Sequence, residues 1–289
     1  MPSTRQLKGR IRSVSSTKQI TKAMQMVAAS KMRRAQEAEK ATIDYTRSAN
    51  ELLTHFAQQG ATDDHPLFVQ RPVKARLLIV ITSDKGLAGA YNANILKRYL
   101  SEIKADRDAG ITTLTITVGR KASQFTSRLS GVDVRGTYDD LPDELEGSEF
   151  STILATAAQL YREQTVDAVD VLYTEFVSSL TQTARLQRVL PAGYIETTVT
   201  KAVRNAKYEP SVDRVLDAMV YRLVGAQIFQ AMLDARASEH SMRMVAMKNA
   251  TDNASDLIDD LTLAMNKARQ AAITQELAEI SGGAEAMNA

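Results

Sequence analysis

The 289-residue chain has no cysteine and no tryptophan, and only 5% of it is aromatic. Without cysteine there is no disulfide framework, no thiol nucleophile and no thiolate metal site, which fits a reducing compartment. No apolar run approaches the roughly 20 residues that span a bilayer, and the N-terminus lacks an apolar signal region. Neither direct membrane insertion nor secretion is therefore expected. Only three histidines occur, His55, His65 and His240, and they lack the spacing of metal ligands. No Ser/His/Asp set stands out, and no nucleophile elbow is present. The expectation is a chain with no catalytic residues, no cofactor and no metal.

Proline is also scarce. Its six positions are 2, 66, 72, 142, 191 and 210, so the spans 3–65 and 211–289 contain none. Proline costs about 3 kcal/mol inside a helix, which leaves both spans free to be continuous helices. In the second, Ser211 is a candidate N-cap with Asp213 in the first turn, and "SGG" at 281–283 reads as a stop. Seventy residues of helix would be a rod of roughly 105 Å, far beyond the usual helix of about 11 residues. Ala250, Ala254, Leu257, Leu261, Ala264, Ala268, Ala271, Gln275 and Ala278 alternate at spacings of four and three. That is a coiled-coil seam with small knobs. The N-terminal span supplies Leu7, Ile11, Val14, Ile20, Met24 and Val27, with a phase slip after Val14. The economical arrangement pairs the two chain ends as an antiparallel coil.

The middle has a different grammar. "ARLLIVIT" (75–82) is a continuous apolar run of strand length, "TTLTITVG" (112–119) alternates, and further strand-like runs lie at 132–137, 167–176 and 183–191. Helical segments at 90–107, 121–129 and 148–164 separate the early strands. Strand–helix alternation specifies a largely parallel sheet, and the short loop before the last strand specifies an antiparallel edge hairpin. The fold class expected is thus α/β plus all-α, a long terminal coiled coil with a central Rossmann-like α/β domain. Its boundaries fall at 1–58 and 209–289 for the coil and at 74–195 for the sheet domain.

Four features bear on function. "TSDKGLAGAYN" (82–92) joins a strand to a helix, as phosphate-binding turns do, but matches neither G-x-x-x-x-G-K-[ST] nor G-x-G-x-x-G. The acidic run at 139–149 lacks the ligand order of a calcium loop and reads as a solvated loop. Residues 4–36 carry nine Lys or Arg and no acid. Exposed helices normally mix signs, so this bias points to an acidic partner, either a phosphate backbone or a protein ring with acidic loops. The stretch has no aromatic before Tyr45 for base stacking. Met24, Met26 and Met32, with Met242, Met244 and Met247, serve either as core filler or as an adaptable contact surface. Two alternatives stand beside a mechanical role: a nucleotide-binding α/β enzyme, and a nucleic-acid-binding coiled coil.

"STKQITKAMQMVAASKMRRAQ" (16–36) and the long stretch from "ASEHSMRMVAMKNATDNASDL" to "ISGGA" (237–284) resemble the two terminal signatures of the gamma subunit of rotary F-type ATP synthases. "SDKGLAGAYN" (83–92) resembles that family's central turn, and the likeness covers essentially the whole chain. The resemblance implies a central rotor shaft that couples transmembrane ion (proton) flow to ATP synthesis or hydrolysis and has no active site of its own. It implies as partners the alpha and beta subunits of the catalytic hexamer, the epsilon subunit and the membrane rotor (c) ring, and no nucleic acid. It places the chain as a peripheral protein on the cytoplasmic face of the cell membrane. It carries over beta-subunit contacts to Lys18, Lys22, Met24, Arg269, Gln270 and Thr274. Photosynthetic members have an inserted cysteine pair, for which this chain has no counterpart.

Overall fold

The computed structural model describes residues 3–63, 65–142 and 150–287, without the side chains of 43–46, 279 and 282–287. Most of the acidic run at 139–149 lies outside the described residues. The elements in order are α1 (Thr4–Gln58), β1 (Ala75–Ile81), α2 (Tyr91–Asp108), β2 (Thr112–Val118), α3 (Arg120–Thr126), β3 (Asp133–Tyr138), α4 (Ser151–Arg162), β4 (Ala168–Phe176), β5 (Gln182–Leu190), α5 (Lys201–Arg204) and α6 (Val212–Met287). The chain separates into two compact units, residues 29–243 and residues 1–28 with 244–289, and both long helices contribute to each.

The larger unit is built on a five-stranded sheet of order β3-β2-β1-β4-β5. The first three pairings are parallel and β4–β5 is antiparallel, as the strand–helix alternation and the short 177–181 connection require. From Leu77 to Ile81 the central strand is apolar because both of its faces are covered. Leu77, Ile79 and Ile81 join a core with Leu53 and Phe56 of α1, Ile153 of α4, and Val220, Leu223 and Ile228 of α6. Leu78 and Val80 point the other way, onto Ile95 and Tyr99 of α2 and Ala122 of α3.

Close approach explains two glycines. A Cβ on Gly225, in mid-α6, would lie 2.9 Å from Leu154 and 3.0 Å from Phe150, so the missing side chain is what seats α6 against α4. Gly119 has φ +91°, and a Cβ there would collide with the Thr82 carbonyl oxygen. In the 82–92 turn the left-handed residues are Leu87 and Gly89, so Gly86 is not what bends the chain.

The helix ends also have local causes. Ser3 and Gln6 form a reciprocal capping box, with Gln6 N–H donating to Ser3 Oγ and Ser3 N–H to Gln6 Oε1. This satisfies the start of a helix that has no acid in its first turn. Ser211 caps α6 through the N–H of Arg214, as its position predicts. The "SGG" stop is corrected: α6 continues through 281–283 to Met287. Glycine weakens a helix by about 1 kcal/mol, but no proline follows to end it.

Candidate partner interface on the paired helices

In the smaller unit the buried stripe of α1 runs Leu7, Ile11, Val14, Lys18, Thr21, Gln25 and Ala28, in unbroken steps of four and three. The expected phase slip is therefore absent. Ile20 and Val27 are 60% and 55% exposed, and the seam runs through polar residues instead. On α6 the stripe is Met247, Thr251, Ala254, Ile258, Leu261, Met265 and Ala268. Of the expected seam, Ala254, Leu261 and Ala268 hold their places. Leu257, Ala264, Ala271, Gln275 and Ala278 face solvent, and Leu257 is 46% exposed. Apolar residues were the only cue to the phase, and a Thr in the seam is invisible to it.

Thr21 and Thr251 are both buried, with hydroxyl oxygens 2.8 Å apart. Thr21 Oγ1 also lies 3.0 Å from the Lys18 carbonyl, and Thr251 Oγ1 lies 2.8 Å from that of Met247. Lys18 is half-buried at a seam position, where a long aliphatic stem can cover apolar surface. Lys22 is exposed, with its Nζ 3.3 Å from Gln25 Oε1, and Met24 is half-buried. Lys18 and Lys22, one turn apart, lie side by side on α1, whereas Met24, two positions on from Lys22, lies on the other flank of the seam. Arg269, Gln270 and Thr274 are all exposed on α6, where Thr274 donates to the Gln270 carbonyl at 2.9 Å. The methionines divide: Met32 and Met247 are buried, Met24, Met242 and Met244 are half-buried, and Met26 is 60% exposed.

The 82–92 turn does not offer its surroundings to phosphate. Asp84 Oδ1 accepts from Arg120 N–H, at the start of α3, and from Asp140 N–H. A carboxylate of the chain thus occupies the place of an anion at that helix start. Ser83 N–H donates to Asn92 Oδ1. Beyond the strand ends, α6 brings Arg236 and Glu239 over the crevice, leaving a cavity of about 10 Å³ lined also by Thr82, Asp84, Tyr91 and Gly119. That is room for about one water, whereas ligand pockets measure several hundred Å³.

The histidines are engaged separately. His65 Nδ1 accepts from Leu67 N–H, so Nε2 carries the proton and donates to Asp217 at 3.0 Å. His55 lies beside Gln59 and Tyr208, and His240 beside Arg243. Among the described residues no three metal-ligating groups converge.

Two charged clusters escaped the sequence reading. Arg76, 6% exposed, bonds Asp106 at 2.9 Å, Glu102 at 3.1 Å and Asp170 at 3.3 Å, and Asp170 also accepts two bonds from Arg188. In the other cluster, Asp234 of α6 is buried near Glu39 of α1 and Glu175 of β4. Desolvation and the two neighbouring carboxylates push its carboxyl up to about 7, against the pull of Arg185. Burial also raises Glu39.

The smaller unit is thus a pair of chain ends joined along a partly polar seam, and the larger an α/β domain whose crevice is filled by the chain's own helix. The family model described as ATP synthase matches residues 3–287. The ATP synthase gamma chain of Heliobacterium modesticaldum is 40% identical over 99% of this chain and 100% of its own length. That of Stenotrophomonas maltophilia is 39% identical over the same shares. The chain belongs to the ATP synthase gamma-chain family. Its fold is similar to a chain of the Euglena gracilis mitochondrial ATP synthase OSCP/F1/c-ring structure in rotational state 3, with TM-score 0.69, 22% identity and coverage of 98% and 94% of the two chains. It is also similar to a chain of the Tetrahymena thermophila central stalk/c-ring structure, with TM-score 0.57, 24% identity and coverage of 80% and 99%.

Proposed function

We propose that the chain is the central rotor shaft of an F-type ATP synthase and couples ion movement through the membrane to ATP turnover by rotation. The observation that carries this is the end-to-end match to gamma chains at about 40% identity. In this reading residues 1–58 and 209–289 are the shaft, and residues 74–195 form the domain that seats it. The partners are the alpha and beta subunits, the epsilon subunit and the rotor (c) ring. The chain has no catalytic site of its own, and the filled crevice of its sheet domain supports that role. In this reading attachment is peripheral, at the cytoplasmic face, through the rotor ring; no described helix is long and apolar enough to cross a membrane.

Lys18, Lys22 and Met24 are the contacts with acidic loops of the beta subunits, and Arg269, Gln270 and Thr274 are a second set further along α6. Cations on a helix that carries no acid of its own between residues 4 and 36 steer an acidic partner, and a thioether adapts to a contact that changes with angle. The test is to assemble Lys22→Glu and Met24→Lys variants into the complete enzyme. Ion pumping per ATP hydrolysed is expected to fall about five-fold, the equivalent of about 1 kcal/mol at the contact. Native pumping in both variants would remove these residues from the interface.

A further inference from the structure

The seam of the smaller unit is unevenly apolar. On α1, Leu7, Ile11 and Val14 fill it near the chain start, but the next four positions are Lys18, Thr21, Gln25 and Ala28. Counting outward from the Thr21–Thr251 pair in an antiparallel coil places Lys18 level with Ala254 and Gln25 level with Met247. No aliphatic knob larger than Ala is supplied by α1 between Val14 and Ala28. The hydrophobic hold is therefore thinnest along the segment that bears Lys18, Lys22 and Met24.

Two hydroxyl hydrogens serve three acceptors here. One threonine donates across the seam, and the other donates to the carbonyl of its own helix, either Lys18 O or Met247 O. Either direction leaves no hydroxyl hydrogen unused. The 2.8 Å between the oxygens is shorter than the roughly 3.5–4.0 Å at which two carbons rest, so an apolar pair of equal shape would hold the helices apart.

We propose that Thr21 and Thr251 are positioning residues: a buried cross-tie that holds the Lys18–Met24 segment of α1 close to α6 and sets the direction in which its cations project. The tie works where the apolar seam does not, at the level of Lys18 and Lys22. Its functional consequence rests on the contact reading of Lys18, Lys22 and Met24 given above.

Three versions of the full chain separate the bond from the packing. Thr21→Val/Thr251→Val keeps the volume and loses the bond. Thr21→Ser/Thr251→Ser keeps the bond and loses two methyl groups. Amide hydrogen exchange is followed by mass spectrometry on peptides covering residues 15–28. The cross-tie predicts exchange about five-fold faster in the valine pair, the loss of one net hydrogen bond, and native protection in the serine pair. A purely apolar role predicts the reverse, with the valine pair protected as well as or better than the native chain and the serine pair less, and that result overturns the proposal. If the valine pair fails to fold, Thr251→Val alone gives the same comparison against Thr251→Ser. The same variants are then assembled into the complete enzyme. Lost protection with reduced pumping per ATP upholds both the cross-tie and its role. Lost protection with native pumping upholds the cross-tie and overturns the contact reading beneath it.

Discussion

At the scale of single residues, burial decides more than residue type. Asp234 looks in the sequence like any helix-surface acid, yet it is enclosed beside two other carboxylates, and its carboxyl titrates near 7 instead of near 3.8. A raised acid means that the folded state holds a proton that the unfolded chain gives up. Stability therefore falls as pH rises from about 4 to about 7 and stays reduced above that. Asp234→Asn removes this dependence. Its melting temperature at pH 8 is expected to exceed that of the native chain by about 3 °C, with the gain gone at pH 4. Paired thermal melts at the two pH values check this, and an equal gain at both would assign the effect to something other than ionisation. Arg76 is the opposite case, a buried cation with three acids around it. Arg76→Ala leaves buried Asp106 without a cation, while Glu102 keeps Arg98 and Asp170 keeps Arg188, and is expected to cost about 3 kcal/mol in urea unfolding. No short-range pattern signals either residue, because the partners of Asp234 come from α1, β4 and β5, and those of Arg76 from α2 and β4.

At the scale of elements, the strands were legible because period and length speak for them. The continuous apolar run of β1 means two covered faces, and it sits at the centre of the sheet between β2 and β4. The helices were legible as helices, because neither span contains proline. Their facing surfaces were only half legible. Ala254, Leu261 and Ala268 lie in the seam, but the alternate positions are Thr251, Ile258 and Met265, one residue on from the apolar set that spacing suggested. Ile20 and Val27 drew the α1 phase in the same way towards a face that α6 leaves open. The glycine at 225 belongs to this scale too. Gly225→Val would drive side-chain carbon into Leu154 and Phe150, and is expected to destabilise the chain by about 2 kcal/mol despite the better helix propensity. Chemical denaturation measures this, and a neutral result would mean that α4 and α6 can part without cost.

At the scale of the whole molecule, apolar burial is distributed very unevenly along α6. Between Leu216 and Ala235 one face of the helix packs in the core of the larger unit, whereas every described side chain from Arg269 to Ser281 is exposed. A chain shortened after Thr274 should therefore melt within about 1 °C of the full-length protein, since surface changes seldom exceed about 0.5 kcal/mol. Scanning calorimetry decides this, and a large drop would mean that the tail packs somewhere. Such an exposed stretch suits contact with other chains, the place given to Arg269, Gln270 and Thr274 in the proposed shaft.

The sequence by itself determined the two long helices, the strand order's parallel character and the edge hairpin, because proline spacing, periodicity and loop length act over a few residues. It also determined the family, since motif order and spacing are linear properties. Only the tertiary structure decided which helix faces meet, that a threonine pair joins them, that α6 fills the crevice of the sheet domain, and that Asp234 holds its proton near neutrality. Each of these depends on groups far apart in the chain being brought within a few ångströms. At that range desolvation, hydrogen bonding and close packing override the preferences of the residue alone.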